Sequence, residues 1–192
     1  MTHGEIDPAC AVAHGGDAVP SADERPSADA IAHGVPAPAG ATRTLVAVFD
    51  SPVAGYLLRY GADCGYQPVL LEPDPDRAAA AAADGRRVVR DPATIDPDAD
   101  VVVTDHHRPE LDGTVRDLLA VKTRWIGVMG NPRHPAPYIP GLIEFGVPEA
   151  EIARVHRPIG LNIGSRSPAE IALSALAGLI ADRNGRPGGF GF

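Results

Sequence analysis

Short apolar runs alternate with amphipathic stretches from residue 44 to residue 182, and this rhythm dominates the chain. Residues 45–49 read as a first strand. Pro52 opens a helix that runs to Cys64 and stops at Gly65. Residues 68–71 form a second strand that ends at Glu72. Asp74-Pro75 starts an alanine-rich helix that Gly85 ends, and residues 87–89 make a short third strand. The unbroken β-branched run 101–104 is of the kind buried on both faces of a parallel sheet. Residues 109–121 predict a helix with Leu111, Val115, Leu118 and Leu119 on one face. Residues 125–129 are a fifth strand. Two helices, 137–145 and 149–155, are separated by Gly146-Val147-Pro148. The last helix runs from Pro168 to about Asp182, with Ile171, Ala175, Leu179 and Ala172, Leu176, Ile180 spaced to pack.

This order predicts an α/β fold: a doubly wound parallel sheet, Rossmann-like, in three αβα layers. Ligands of such folds bind beyond the carboxyl ends of the strands. Here those ends are Asp50-Ser51, Glu72, Asp105-His106-His107 and Gly130-Asn131.

Composition changes the picture at the N-terminus. In residues 1–40, ten Ala, five Gly and five Pro make up half the segment, and six acids face one base. Such a stretch buries too little apolar surface to offset its ordering entropy. Residues 1–42 are therefore expected to be a disordered tail, 43–186 the Rossmann domain and 187–192 a loose end. The formal charge of −8 argues against a nucleic-acid binder. Lys122 is the only lysine among 17 basic residues. Two cysteines, Cys10 and Cys64, lack the spacing of a disulfide framework or zinc knuckle, and Cys64 reads as a small core residue. No apolar run approaches membrane-spanning length, so a cytoplasmic location is expected.

Candidate chemistry gathers at the strand ends. The first turn, Phe49-Asp50-Ser51-Pro52-Val53-Ala54, has no glycine at any of the three fingerprint positions. Phe49 stands where the tight-turn glycine belongs, and Asp50 brings negative charge to the phosphate position. NAD(P) or FAD binding in the usual mode is disfavoured. Glu72 is placed to hold a ribose hydroxyl or to be a solvated acid. Asp105 and His106 are candidates for ligand hydrogen bonding or proton transfer, for part of a metal site, or for simple capping. Asn131 and Arg133 follow Gly130 and can meet a phosphate or solvent. Around 160–167, Ser167 is a good N-cap, Pro168 suits the first helical position and Glu170 completes a capping box. Gly160, Asn162, Gly164 and Ser167 thus frame either an anion-binding helix entrance or a well-capped structural corner.

Several segments taken together resemble a known family. They are Trp125-Ile126-Gly127-Val128-Met129-Gly130, Gly146-Val147-Pro148-Glu149, Val155-His156-Arg157-Pro158-Ile159-Gly160-Leu161-Asn162-Ile163-Gly164 and Ser167-Pro168-Ala169-Glu170-Ile171-Ala172. They are similar to the C-terminal Rossmann domain of the XdhC/CoxI family, accessory proteins of xanthine dehydrogenase and related molybdenum hydroxylases. Thr104-Asp105-His106-His107 resembles that family's signature after the fourth strand. The likeness implies a chaperone that binds molybdenum cofactor transiently and assists its sulfuration or insertion into a xanthine dehydrogenase-type hydroxylase. It implies no catalytic residue and no resident metal. The implied cofactor-binding set is Ser51, Glu72, Asp105, His106, Asn131, Arg133, Gly160, Asn162, Gly164 and Ser167. Implied partners are the hydroxylase, a cysteine desulfurase or a separate N-terminal-module protein, and a second copy of the chain. Asp50-Ser51-Pro52 replaces the family's glycine-rich first turn, and one arginine, Arg133, remains where basic residues follow Gly130. A dinucleotide-dependent oxidoreductase and a Rossmann scaffold acting only through protein contacts are the alternatives.

Overall fold

The computed structural model describes residues 33, 43–131 and 133–189. The expected disorder of the tail, like Cys10, lies outside them. All helices and strands of the described residues lie in the unit Thr42–Phe192.

Six parallel strands form one sheet in the order β3-β2-β1-β4-β5-β6. They are β1 (Arg43–Val48), β2 (Tyr66–Leu71), β3 (Val88–Val89), β4 (Asp100–Val103), β5 (Trp125–Val128) and β6 (Val155–His156). The helices are α1 (Pro52–Asp63), α2 (Pro75–Ala83), α3 (Leu111–Val121), α4 (Tyr138–Glu144), α5 (Glu149–Ile152) and α6 (Pro168–Arg183). The doubly wound αβα fold read from the sequence is the fold observed.

Strand periodicity sorts the core into two layers. Val46, Val48, Val101, Val103, Ile126 and Val128 pack with α3 and α4. Leu45, Ala47, Leu70, Val102 and Trp125 pack with α1 and α6. The central strands are buried on both faces, so they read as continuous apolar runs.

Element ends deviate from the sequence reading for local reasons. The second strand starts two residues before Pro68. On β2 the N–H groups of Leu70 and Glu72 point to the β3 side, bonding Arg87 and Val89. Pro68 lies in the same phase, before β3 begins, so its missing donor costs no ladder bond. The first strand ends at Val48, because Phe49 turns to φ 68°. Residues 149–155 divide into one helical turn and β6, since Val155 and His156 pair with Ile126 and Gly127. A two-residue strand carries no periodic signal. Cys64 caps the C-terminus of α1 and is exposed, not a core residue. Among the described residues no helix is long and apolar enough to cross a membrane.

Candidate functional site

The strand order reverses between β1 and β4, and at the carboxyl edge beside that switch point lies an open cleft of about 440 Å³. The loop after β4 supplies Thr104 and His106, and the end of β5 supplies Met129, Gly130 and Asn131. Val53 of α1 and Ile159 add apolar walls. Ser165, Ile171, Ser174 and Ala175, from α6 and its lead-in, close the remaining side. Polar groups from three separate crossovers thus meet in one place.

Local chemistry fixes the cleft's floor. Thr104 Oγ1 lies 3.0 Å from the carbonyl oxygens of both Val48 and Phe49, to which it donates. Ser51 Oγ lies 3.0 Å from Thr104 Oγ1 and accepts from Ala54 N at 3.0 Å, capping α1. Of the expected binding residues, Ser51 is therefore engaged as a cap and a strand tie.

His106 is half-buried and packs against His107, with ring centroids 4.1 Å apart. Burial lowers its pKa below the usual imidazole value; the charges of His107 and Arg157 lower it further, and Asp105 opposes them. His106 is therefore neutral near pH 7 and offers one donor and one acceptor. Asp105 Oδ1 accepts from His107 N at 2.9 Å and lies outside the cleft lining. Asn131 Oδ1 accepts from Arg133 N at 2.9 Å, which leaves the amide N–H groups of Asn131 to donate. The Arg133 side chain is exposed, outside the lining, and has no bonded partner among the described residues.

Arg157 is a functional candidate that sequence reasoning missed. Its Nη1 donates to His134 O at 2.9 Å and its Nη2 to Asn131 O at 3.0 Å, pinning the turn that presents Asn131. The guanidinium lies against Gly130, where a Cβ would come within 2.7 Å of Nη2. A glycine beside a later arginine is too common a pattern to have exposed this pairing.

Three other expected positions are structural. Glu72 is fully buried: it accepts from Asp50 N at 2.8 Å, Asp74 N at 3.1 Å and the Arg108 guanidinium at 3.2 and 3.0 Å. It has no room for a ribose, because its lone pairs are taken. Gly160, at φ 86°, lies against α6: a Cβ would meet Ser174 Oγ at 2.6 Å, and a Cβ on Gly178 would meet Gly160 Cα at 2.7 Å. Its role is close packing. Ser167 Oγ accepts from Glu170 N at 3.3 Å, while Glu170 Oε2 accepts from Arg166 N at 2.8 Å and Ser167 N at 3.2 Å. Those bonds hold the Glu170 carboxyl below the usual range. The helix entrance thus already holds an anion, its own. Asn162 and Gly164 are exposed in the preceding loop and lie outside the cleft lining.

Of the expected set, His106 and Asn131 line the cleft. Met129, Ile159 and Ser165 join them there without having been foreseen. Among the described residues no group of three His, Cys, Asp or Glu side chains is placed to hold a metal ion.

A family model described as the XdhC Rossmann domain matches residues 45–179. The uncharacterized protein YqeB of Escherichia coli (strain K12) is 37% identical over 89 residues, which is 46% of this chain and 16% of YqeB. A crystal structure of a xanthine dehydrogenase from Bacillus halodurans is similar with a TM-score of 0.59 at 24% identity, over 76% of this chain and 44% of that one. The chain spans less than half the length of either relative, and the structural likeness speaks to the fold.

Proposed function

The chain belongs to the XdhC Rossmann-domain family, and from that premise we propose that it binds molybdenum cofactor in the His106–Asn131 cleft. In this reading it carries and shields the cofactor and assists its sulfuration or insertion into a xanthine dehydrogenase-type molybdenum hydroxylase. The observation that carries the reading is the convergence of His106, Asn131 and Ser165 in one cleft where doubly wound folds take ligands.

The residues suit the pterin ring system of that cofactor. Val53, Met129 and Ile159 offer apolar walls to its faces, and Asn131 and neutral His106 offer hydrogen bonds to its edge. The bound group would supply oxygen-transfer and redox chemistry once in the hydroxylase. This chain's own residues would bind, orient and exclude water. Among the described residues no thiol lines the cleft. Cys64 sits at the far end of α1, about 16 Å along the helix from Val53. Sulfur would therefore come from a partner such as a cysteine desulfurase. A separate N-terminal-module protein is a second expected partner.

The test is the full chain purified anaerobically from a cofactor-competent host, followed by fluorescence of the oxidised pterin released from it. His106→Ala and Asn131→Ala should each lose most of that signal without lowering Tm. Equal signal from wild type and variants would refute the site, and absence of signal from all three would refute cofactor binding.

A further inference from the structure

The crevice about β1 has two halves, one toward β2 and one toward β4, and only the second is open. The β2 half is closed by two arginine–carboxylate locks. In the first, Arg108 grips the fully buried Glu72 and lies over the Phe49 ring, 4.9 Å from its centroid. In the second, Arg86 holds Asp50 through bonds of 2.5 and 3.1 Å. Both cations are neutralised, and the backbone N–H of Asp50 is spent on Glu72.

Most of the other routes to a phosphate are closed as well. At the start of α1, Pro52 lacks an N–H, Ala54 N bonds Ser51 Oγ and Gly55 N bonds Ser51 O. At the start of α6, the Glu170 carboxylate occupies the Arg166 and Ser167 N–H groups. Among the described residues no Arg or Lys lines the open cleft. Arg157, behind Gly130, is turned onto the carbonyls of Asn131 and His134. Arg133 and Arg166 flank the lining in sequence but are exposed, so a phosphate contact through them is screened by solvent.

What remains open is a slot with apolar walls and an uncharged hydrogen-bonding rim. Asn131 Nδ2 donates. The neutral His106 ring can donate at one nitrogen and accept at the other, and Ser165 Oγ, which donates to Glu170 O at 3.3 Å, can accept. About 440 Å³ is room for a fused ring system.

We infer that this cleft reads the hydrogen-bonding edge of an uncharged planar heterocycle and leaves any phosphate or nucleotide attached to it outside. The inference rests on the cleft being the ligand site, and it deepens the proposed function by naming the part of the ligand that is recognised. A dinucleotide is refused by Glu72, Arg108, Asp50 and Arg86 rather than by the missing glycines alone.

The test is thermal denaturation of the full chain with four probes: neopterin, which has no phosphate, inorganic pyrophosphate, NAD and FAD. Neopterin at about 100 times its Kd should raise Tm by about 5–10 °C, and the other three should not. Asn131→Ala should abolish the neopterin shift while keeping the unliganded Tm. A pyrophosphate, NAD or FAD shift equal to that of neopterin would overturn the inference. If cofactor still co-purified with the chain, the proposed function would then stand. If no cofactor co-purified and no probe shifted Tm, both would fall.

Discussion

Arg108 reaches from the loop after β4 to the end of β2 and closes on Glu72, with the two side chains 8% and 0% exposed. Removing either partner strands a buried charge, which costs about 3–5 kcal/mol. Arg108→Ala leaves Glu72 only the backbone donors of Asp50 and Asp74. We expect a fall of that size in urea-denaturation free energy for Arg108→Ala. The double variant Arg108→Met with Glu72→Leu should be less destabilised, because no orphan charge remains. A loss below about 1 kcal/mol in the single variant would mean that the pair is solvated.

Phe49 occupies the left-handed region at φ 68° with a fully buried ring. The conformation costs a non-glycine residue roughly 1–2 kcal/mol. Truncating the ring costs more, about 3–5 kcal/mol. Both Phe49→Ala and Phe49→Gly should therefore destabilise, but glycine should be the milder by about 1 kcal/mol, since it alone escapes the backbone strain. In an ordinary strand the order reverses. Equal losses in equilibrium unfolding would show that the backbone relaxes on truncation.

His106 has a lowered pKa in the folded chain, so the native state binds its proton less readily than the unfolded state does. Stability then rises with pH wherever the unfolded state holds more protons. For this group the loss begins as pH falls through its ordinary value of 6.5 and levels off below its folded pKa. His106→Gln should remove that part of the pH profile and leave stability at pH 8 unchanged. An NMR titration of the ring that gave a pKa at or above 6.5 would sink both this expectation and the neutral rim of the cleft.

The fold was legible because its information is repeated: each central strand is a continuous apolar run, and the longer helices α1, α3 and α6 carry apolar positions over several turns. The Phe49 turn was not: Phe49 was read as the last residue of the first strand, standing where the tight-turn glycine belongs, yet topology imposes the turn whatever the residue. The site was legible only as far as the strand ends. His106 and Asn131 could be picked from them, but whether an acid is free or spent depends on residues far away in sequence. Glu72 looks like a ribose ligand until Arg108, 36 residues on, is folded against it. Glu170 was read as a capping residue, yet filling the cap also removes the anion site that the same motif suggested. β6 escaped notice because two residues show no period.

Gly130 and Arg157 provide a direct handle on the cleft. The glycine has an ordinary backbone conformation, so Gly130→Ala is not strained by φ. Its new Cβ would come within 2.7–2.8 Å of the Arg157 guanidinium, the far end of a flexible side chain that can move away. Stability should therefore change by less than about 1 kcal/mol, helped by the lower entropy of the unfolded chain. Moving Arg157 frees the carbonyls of Asn131 and His134, so the turn that presents Asn131 loosens. It also removes one of the charges that depress His106. Gly130→Ala should thus raise the His106 pKa toward 6.5 and reduce pterin retention several-fold, with Arg157→Ala reproducing both effects. A His106 titration unmoved in both variants would show that Arg157 does not act on the cleft.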